Sequence, residues 1–191
     1  SNPHATEAVC RVLRIQFEIM KNNLYGTLWE KDIEFLHDFR FACRRSRSIL
    51  SQLKSAFPEA AIKPFLEDFA WLNRLSSTLR DLDVFLLKLL SEEFKKRFGE
   101  ISLQPLVGWL EGRRDEEQSL LGRKLQSKRF QKFSQSLDAF LHGQSSIDLN
   151  TEEPSQIKPL ASRRIRRLWQ RSLKEGRAIP DEEAHLAFHE L

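Results

Sequence analysis

His37-Asp38-Phe39-Arg40-Phe41-Ala42-Cys43-Arg44-Arg45-Ser46-Arg47 decides the fold class. Apolar residues in and beyond it (Leu36, Phe39, Cys43, Ile49, Leu50, Leu53 and Phe57) recur at helical spacings, the signature of a helix with one buried face. The same stretch sets His37, Arg40, Arg44 and Arg47 three, four and three residues apart. At about 100° per residue all four fall on one stripe beside the apolar one. Ser51 and Lys54 prolong that row, and the helix is expected over residues 30–57, stopped by Pro58.

The same periodicity runs outward in both directions. Upstream, Val9, Val12, Leu13 and Phe17 predict a helix over residues 6–21, and Tyr25-Gly26 reads as a turn. Downstream, a helix opens near Pro64 with Phe65, Phe69, Leu72 and Leu75. It is weakened at Ser76-Ser77-Thr78, then resumes from Leu82 to residue 98, with Gly99 as cap. A fourth helix starts at Pro105 and runs toward Leu125, and a fifth carries Phe130, Phe133, Leu137, Phe140 and Leu141. Residues 143–154 read as a polar linker, residues 158–175 as a sixth helix closed by Gly176, and a seventh starts near Pro180. Seven Gly and seven Pro in 191 residues are too few for a turn-rich β fold. The expected class is all-α, an antiparallel helical bundle with short connections. The most apolar run, from Val84 to Leu87, meets Lys88 almost at once and is far too short to span a membrane. Two cysteines, Cys10 and Cys43, cannot build a disulfide scaffold, so a reducing, cytoplasmic setting is expected. Ser1-Asn2 reads as a tag remnant.

The net charge is only +4, yet it is unevenly spread. Residues 37–54 carry five basic and one acidic side chain, residues 123–132 five basic and none acidic, and residues 158–177 eight basic and one acidic. Such concentration points to a polyanionic partner. In the third stretch Arg164, Arg167, Arg171 and Lys174 repeat the three-four-three spacing, with Arg163 and Arg166 on flanking faces. Ala161, Ile165, Leu168 and Ser172 mark the side expected to pack. The second stretch offers Arg123, Lys124, Lys128, Arg129 and Lys132 near a helix-to-helix turn. Arginine rows suit forked contacts with phosphate oxygens and repel themselves when nothing answers them. Asp81 and Asp83 are expected to be structural counterions that hold the motif arginines. His37-Asp38 invites comparison with metal phosphohydrolases, but His4, His142, His185 and His189 lack matching spacing. No catalytic residue, metal site or cofactor is expected, and no phosphate loop or nucleophile elbow is present.

The His37-x-x-Arg40-x-x-x-Arg44-Arg45-x-Arg47 helix, followed by Arg80-Asp81-Leu82-Asp83-Val84, resembles the CHAD domain, named for a conserved histidine α-helical domain. The resemblance implies two four-helix bundles related by a pseudo-twofold axis, each with one His-x-x-Arg helix. Residues 1–150 would form the first bundle, and residues 151–191 the basic helix and opening of the second, incomplete here. Arg163 to Gly176, then Asp181-Glu182-Glu183, then His189-Glu190-Leu191 fit that opening, and the chain stops one residue before the expected arginine. Ser46 stands where the family usually has leucine. The resemblance implies non-enzymatic binding of inorganic polyphosphate and association with polyphosphate granules. Some members carry a triphosphate-hydrolysing CYTH domain, of which there is no trace. The expected polyphosphate ligands are His37, Arg40, Arg44, Arg45, Arg47, Lys54, Lys124, Lys128, Arg129, Arg163, Arg164, Arg167, Arg171 and His189. The alternatives are a nucleic-acid-binding helical domain with aromatic side chains stacking on bases, a module for an acidic protein, and a metal-dependent phosphohydrolase.

Overall fold

The computed structural model describes residues 5–29, 32–98, 103–143 and 157–177. They form eight α-helices and no strand. In order these are α1 (Ala5–Leu28), α2 (Ile33–Gln52), α3 (Glu59–Leu75), α4 (Ser77–Leu90), α5 (Glu92–Phe98), α6 (Gln104–Leu125), α7 (Lys128–Gly143) and α8 (Ile157–Arg177), with a 3-10 turn at Lys54–Ala56. The all-α expectation holds. The seventh helix near Pro180, and the boundary at residue 150, lie outside the described residues.

Several boundaries differ for physical reasons. Helix α1 runs straight through Tyr25-Gly26. A Cβ on Gly26 would strike the Phe35 ring of α2, so this glycine permits a close helix crossing and makes no turn. Asp32 caps α2, its carboxylate accepting the Glu34 amide at 2.9 Å, which starts the helix later than residue 30. The helix ends at Gln52, so Lys54 sits in the 3-10 turn, off the arginine row. Pro64 lies inside α3 and forfeits one backbone hydrogen bond there. The expected helix reaching residue 98 breaks at Ser91, whose Oγ accepts the Phe94 amide at 3.2 Å and opens α5.

The main core gathers α1, α2, α3, α7, the first turn of α4 through Leu79, and the C-terminal turns of α6. Phe39, Phe69, Leu13, Leu50, Leu72, Leu137 and Leu141 are fully buried there. Phe69 meets Phe133 edge-on at 5.2 Å, and Phe65 lies 5.0 Å from Phe140. Each such side chain contributes about 1.5–3 kcal/mol of burial. A smaller cluster (Leu86, Leu89, Val107 and Leu110) joins α4 to α6 beyond the bundle. Arg14 on α1 donates to the Leu141 carbonyl ending α7 at 2.8 Å, which neutralises a helix C-terminus. Helix α8 is the outlier. Ile165 is 67% exposed, so the face expected to pack does not do so among the described residues.

Candidate functional site: a groove of arginines between two helices

Helices α2 and α3 enclose a groove of about 510 Å³. Arg40, Arg44, Arg47, Ser48, Ser51 and Gln52 line it from α2, and Ala70, Asn73 and Arg74 from α3, with Ser77 at the start of α4. The lining contains four arginines, no carboxylate and no aromatic ring. From Arg40 to Ser51 the row covers about 16 Å of helix axis at 1.5 Å per residue. Arg44, Arg47 and Arg74 are exposed, and among the described residues none has an ion-pair partner within 4 Å. The side chains between them are short, so the groove is open, polar and cationic, which suits an anion with oxygens spread along its length.

Arg40 is set differently. It is half-buried, and its Nη1 donates to Ser76 Oγ at 2.8 Å and to the Asn73 carbonyl at 3.2 Å. Burial is the main cause that lowers its pKa from the usual arginine value; Asp81 opposes this, while Arg44 and Arg80 add to it. Arginine remains charged at any ordinary pH. The shift therefore records a cation held in place although its surroundings do not favour charge.

His37 and Arg45 stand beside the groove and not in it. The His37 ring stacks on Phe41 at 6.1 Å, and the Arg45 guanidinium lies 4.4 Å from the same ring. His37 is thus one turn before the groove, on its flank. Lys54 is exposed in the 3-10 turn and Lys124 and Lys128 are exposed at the α6–α7 turn, none of them lining the groove. Arg129 bonds Asp68 at 2.9 Å and covers the Trp71 ring at 4.2 Å, so it ties α7 to α3. On α8, Arg164 donates to Gln52 Oε1 and thereby reaches the end of the groove. Arg163, Arg166 and Arg167 border a separate hollow of about 380 Å³ along α8. Arg171 is answered by Glu175 at 2.6 Å, which raises its pKa. His189 lies outside the described residues.

The counterion expectation needs correction at Asp83. Its buried carboxylate bonds Arg114 of α6 at 2.7 Å and not a motif arginine, because it faces the α4–α6 seam. Asp81 is exposed and acts on Arg40 only through space. Neutral groups, Ser76 Oγ and the Asn73 carbonyl, hold Arg40 instead. Sequence reasoning missed Arg74 and Asn73. Their signal was available: they precede the Ser76-Ser77-Thr78 break in the helix that follows the basic one. Among the described residues no group of three or more His, Cys, Asp or Glu could hold a metal, and no helix is long and apolar enough to cross a membrane.

Residues 11–191 match the family model described as CHAD domain. Among solved structures, the chain is similar to the CHAD domain from the plant Ricinus communis, with a TM-score of 0.76 at 21% identity. That likeness covers 98% of this chain and 61% of the plant chain, and it shows a shared fold. No curated protein matches.

Proposed function

The chain belongs to the CHAD domain family, and on that premise we propose that it binds inorganic polyphosphate, without catalysis, in the α2–α3 groove. The observation that carries this reading is the composition of the lining: four arginines and, among the described residues, no carboxylate. A row of cations without partners repels itself, and a polyanion relieves that repulsion while releasing its own condensed counterions. The groove is open along its length, which favours a chain lying across it over a small molecule sealed inside. Arg164 at one end provides a route from the groove onto the α8 arginines. On this reading, association with polyphosphate granules follows from the ligand.

The absence of aromatic rings from the lining supports polyphosphate over single-stranded nucleic acid, which draws about 1–3 kcal/mol per base from stacking. Phe41, the nearest exposed ring on α2, is already engaged by His37 and Arg45. The test is a titration of long-chain polyphosphate at several salt concentrations, with single-stranded RNA as competitor. If the four groove arginines each neutralise one phosphate, log affinity falls linearly against log salt with a slope of about −3, using roughly −0.7 per contact. RNA competes poorly. A shallow slope, with tripolyphosphate binding as tightly as the long chain, would overturn the reading in favour of a compact pocket.

A further inference from the structure

Arg40 differs from the other groove arginines in having its direction fixed. Both Nη1 hydrogens have acceptors, Ser76 Oγ at 2.8 Å and the Asn73 carbonyl at 3.2 Å. The Ser76 hydroxyl cannot turn away, because its own hydrogen goes to the Leu72 carbonyl at 2.7 Å. A relay therefore runs from Arg40 through Ser76 to the end of α3, each bond polarising the next. Ser76 is 1% exposed and occupies the junction between α3 and α4. The remaining donors of Arg40, on Nε and Nη2, have no hydrogen-bond partner among the described residues, and Arg40 lines the groove.

We propose that Ser76 is a positioning residue of the anion site. It clamps one corner of the Arg40 guanidinium so that the Nε–Nη2 edge is presented, ready oriented, to a phosphate oxygen pair. This rests on the polyphosphate reading and deepens it. The neutrality of the clamp is its point: a carboxylate at position 76 would hold the arginine as well, but would cancel its charge and compete with the ligand. A serine back-bonded to its own helix supplies an acceptor without a charge. It also accounts for a helix-breaking residue buried where alanine would propagate the helix better.

The inference is tested with Ser76→Ala and Ser76→Cys, the second keeping the shape while offering only a weak acceptor. Folding is checked by helicity and melting. Affinity for long-chain polyphosphate falls about tenfold in each variant, the scale of a lost bond to a charged group. The salt slope is unchanged, since Arg40 keeps its charge nearby. Arg40→Ala instead weakens binding and flattens the slope by about 0.7. In the Arg40→Ala background, Ser76→Cys has no further effect. Affinity within twofold of wild type for both serine variants, or the same loss with and without Arg40, would overturn the positioning role alone. A wild-type protein that does not bind long-chain polyphosphate would overturn the reading beneath it.

Discussion

Replacing Asp83 with asparagine isolates an ion pair with a buried carboxylate that bridges α4 and α6 between the two cores. Asp83 stands one turn after Leu79, in the main core, and one turn before Leu86, in the smaller cluster. Its side chain is 1% exposed, and Oδ1 accepts from Arg114 Nε at 2.7 Å. Removing one partner of a buried pair costs about 3–5 kcal/mol, because the other charge stays desolvated. Arg114 retains 21% exposure and has Asp115 3.7 Å away, so it keeps water and a second carboxylate and the lower figure applies, about 3 kcal/mol. A chain of this length loses about 2–4 °C of melting temperature per kcal/mol, which gives a drop of about 6–12 °C. Circular dichroism melts at neutral pH measure it. Polyphosphate affinity well below the melt is unchanged, since neither residue lines the groove. The double variant Asp83→Leu, Arg114→Met recovers most of the loss, because it strands no charge. A single variant melting within about 2 °C of wild type would refute the account of this pair.

Three further outcomes are expected. Arg44→Ala, Arg47→Ala and Arg74→Ala combined leave helicity and melting temperature intact, since these arginines pair with no carboxylate among the described residues, while polyphosphate affinity falls about a hundredfold or more; an unfolded triple variant would make them structural. Gly26→Ala forces a methyl group into the Phe35 ring and costs about 1–3 kcal/mol by overpacking; an unchanged melt would mean that α1 and α2 do not cross so closely. Burial raises the Cys10 thiol to about 11 and the Cys43 thiol further, so both stay protonated while thiols of the unfolded chain ionise around their ordinary value of 9.0. The unfolded state then binds fewer protons, stability is lost as pH rises above about 9, and any thiol titre in the folded protein at pH 8 would contradict this.

Apolar periodicity made the helices legible, because 3.6-residue spacing survives in α2, α3, α4 and α7 however they pack. The breaks were harder. Gly26 inside α1 looks like a turn until Phe35 is seen against it, and Pro64 looks like a start although α3 begins at Glu59. Both depend on a neighbouring element, which local propensity does not encode. The arginine row of α2 was legible as a stripe, and three of its members do line the groove. The opposite wall was not, because which face of α3 meets α2 is settled by core packing far along the chain. Arg129 shows the same limit from the other side. It belongs to a ten-residue basic run with no acidic member, yet Asp68 and Trp71 engage it.

Basic runs therefore do not locate an anion site; what answers each cation does. Asp83, Asp68, Glu175, Glu116 and Glu117 account for Arg114, Arg129, Arg171 and Arg113. Arg40 is held by neutral oxygens, and Arg44, Arg47 and Arg74 have no ion-pair partner among the described residues. A protein that needed these four only for solubility could have interleaved them with carboxylates at helical spacing, as α6 does with Arg113, Glu116 and Glu117. Sparing them costs Coulomb repulsion along α2 and across to α3. On the proposed reading a multivalent anion in the groove recovers that cost, so the case for a binding surface lies in the carboxylates missing among the described residues more than in the arginines present.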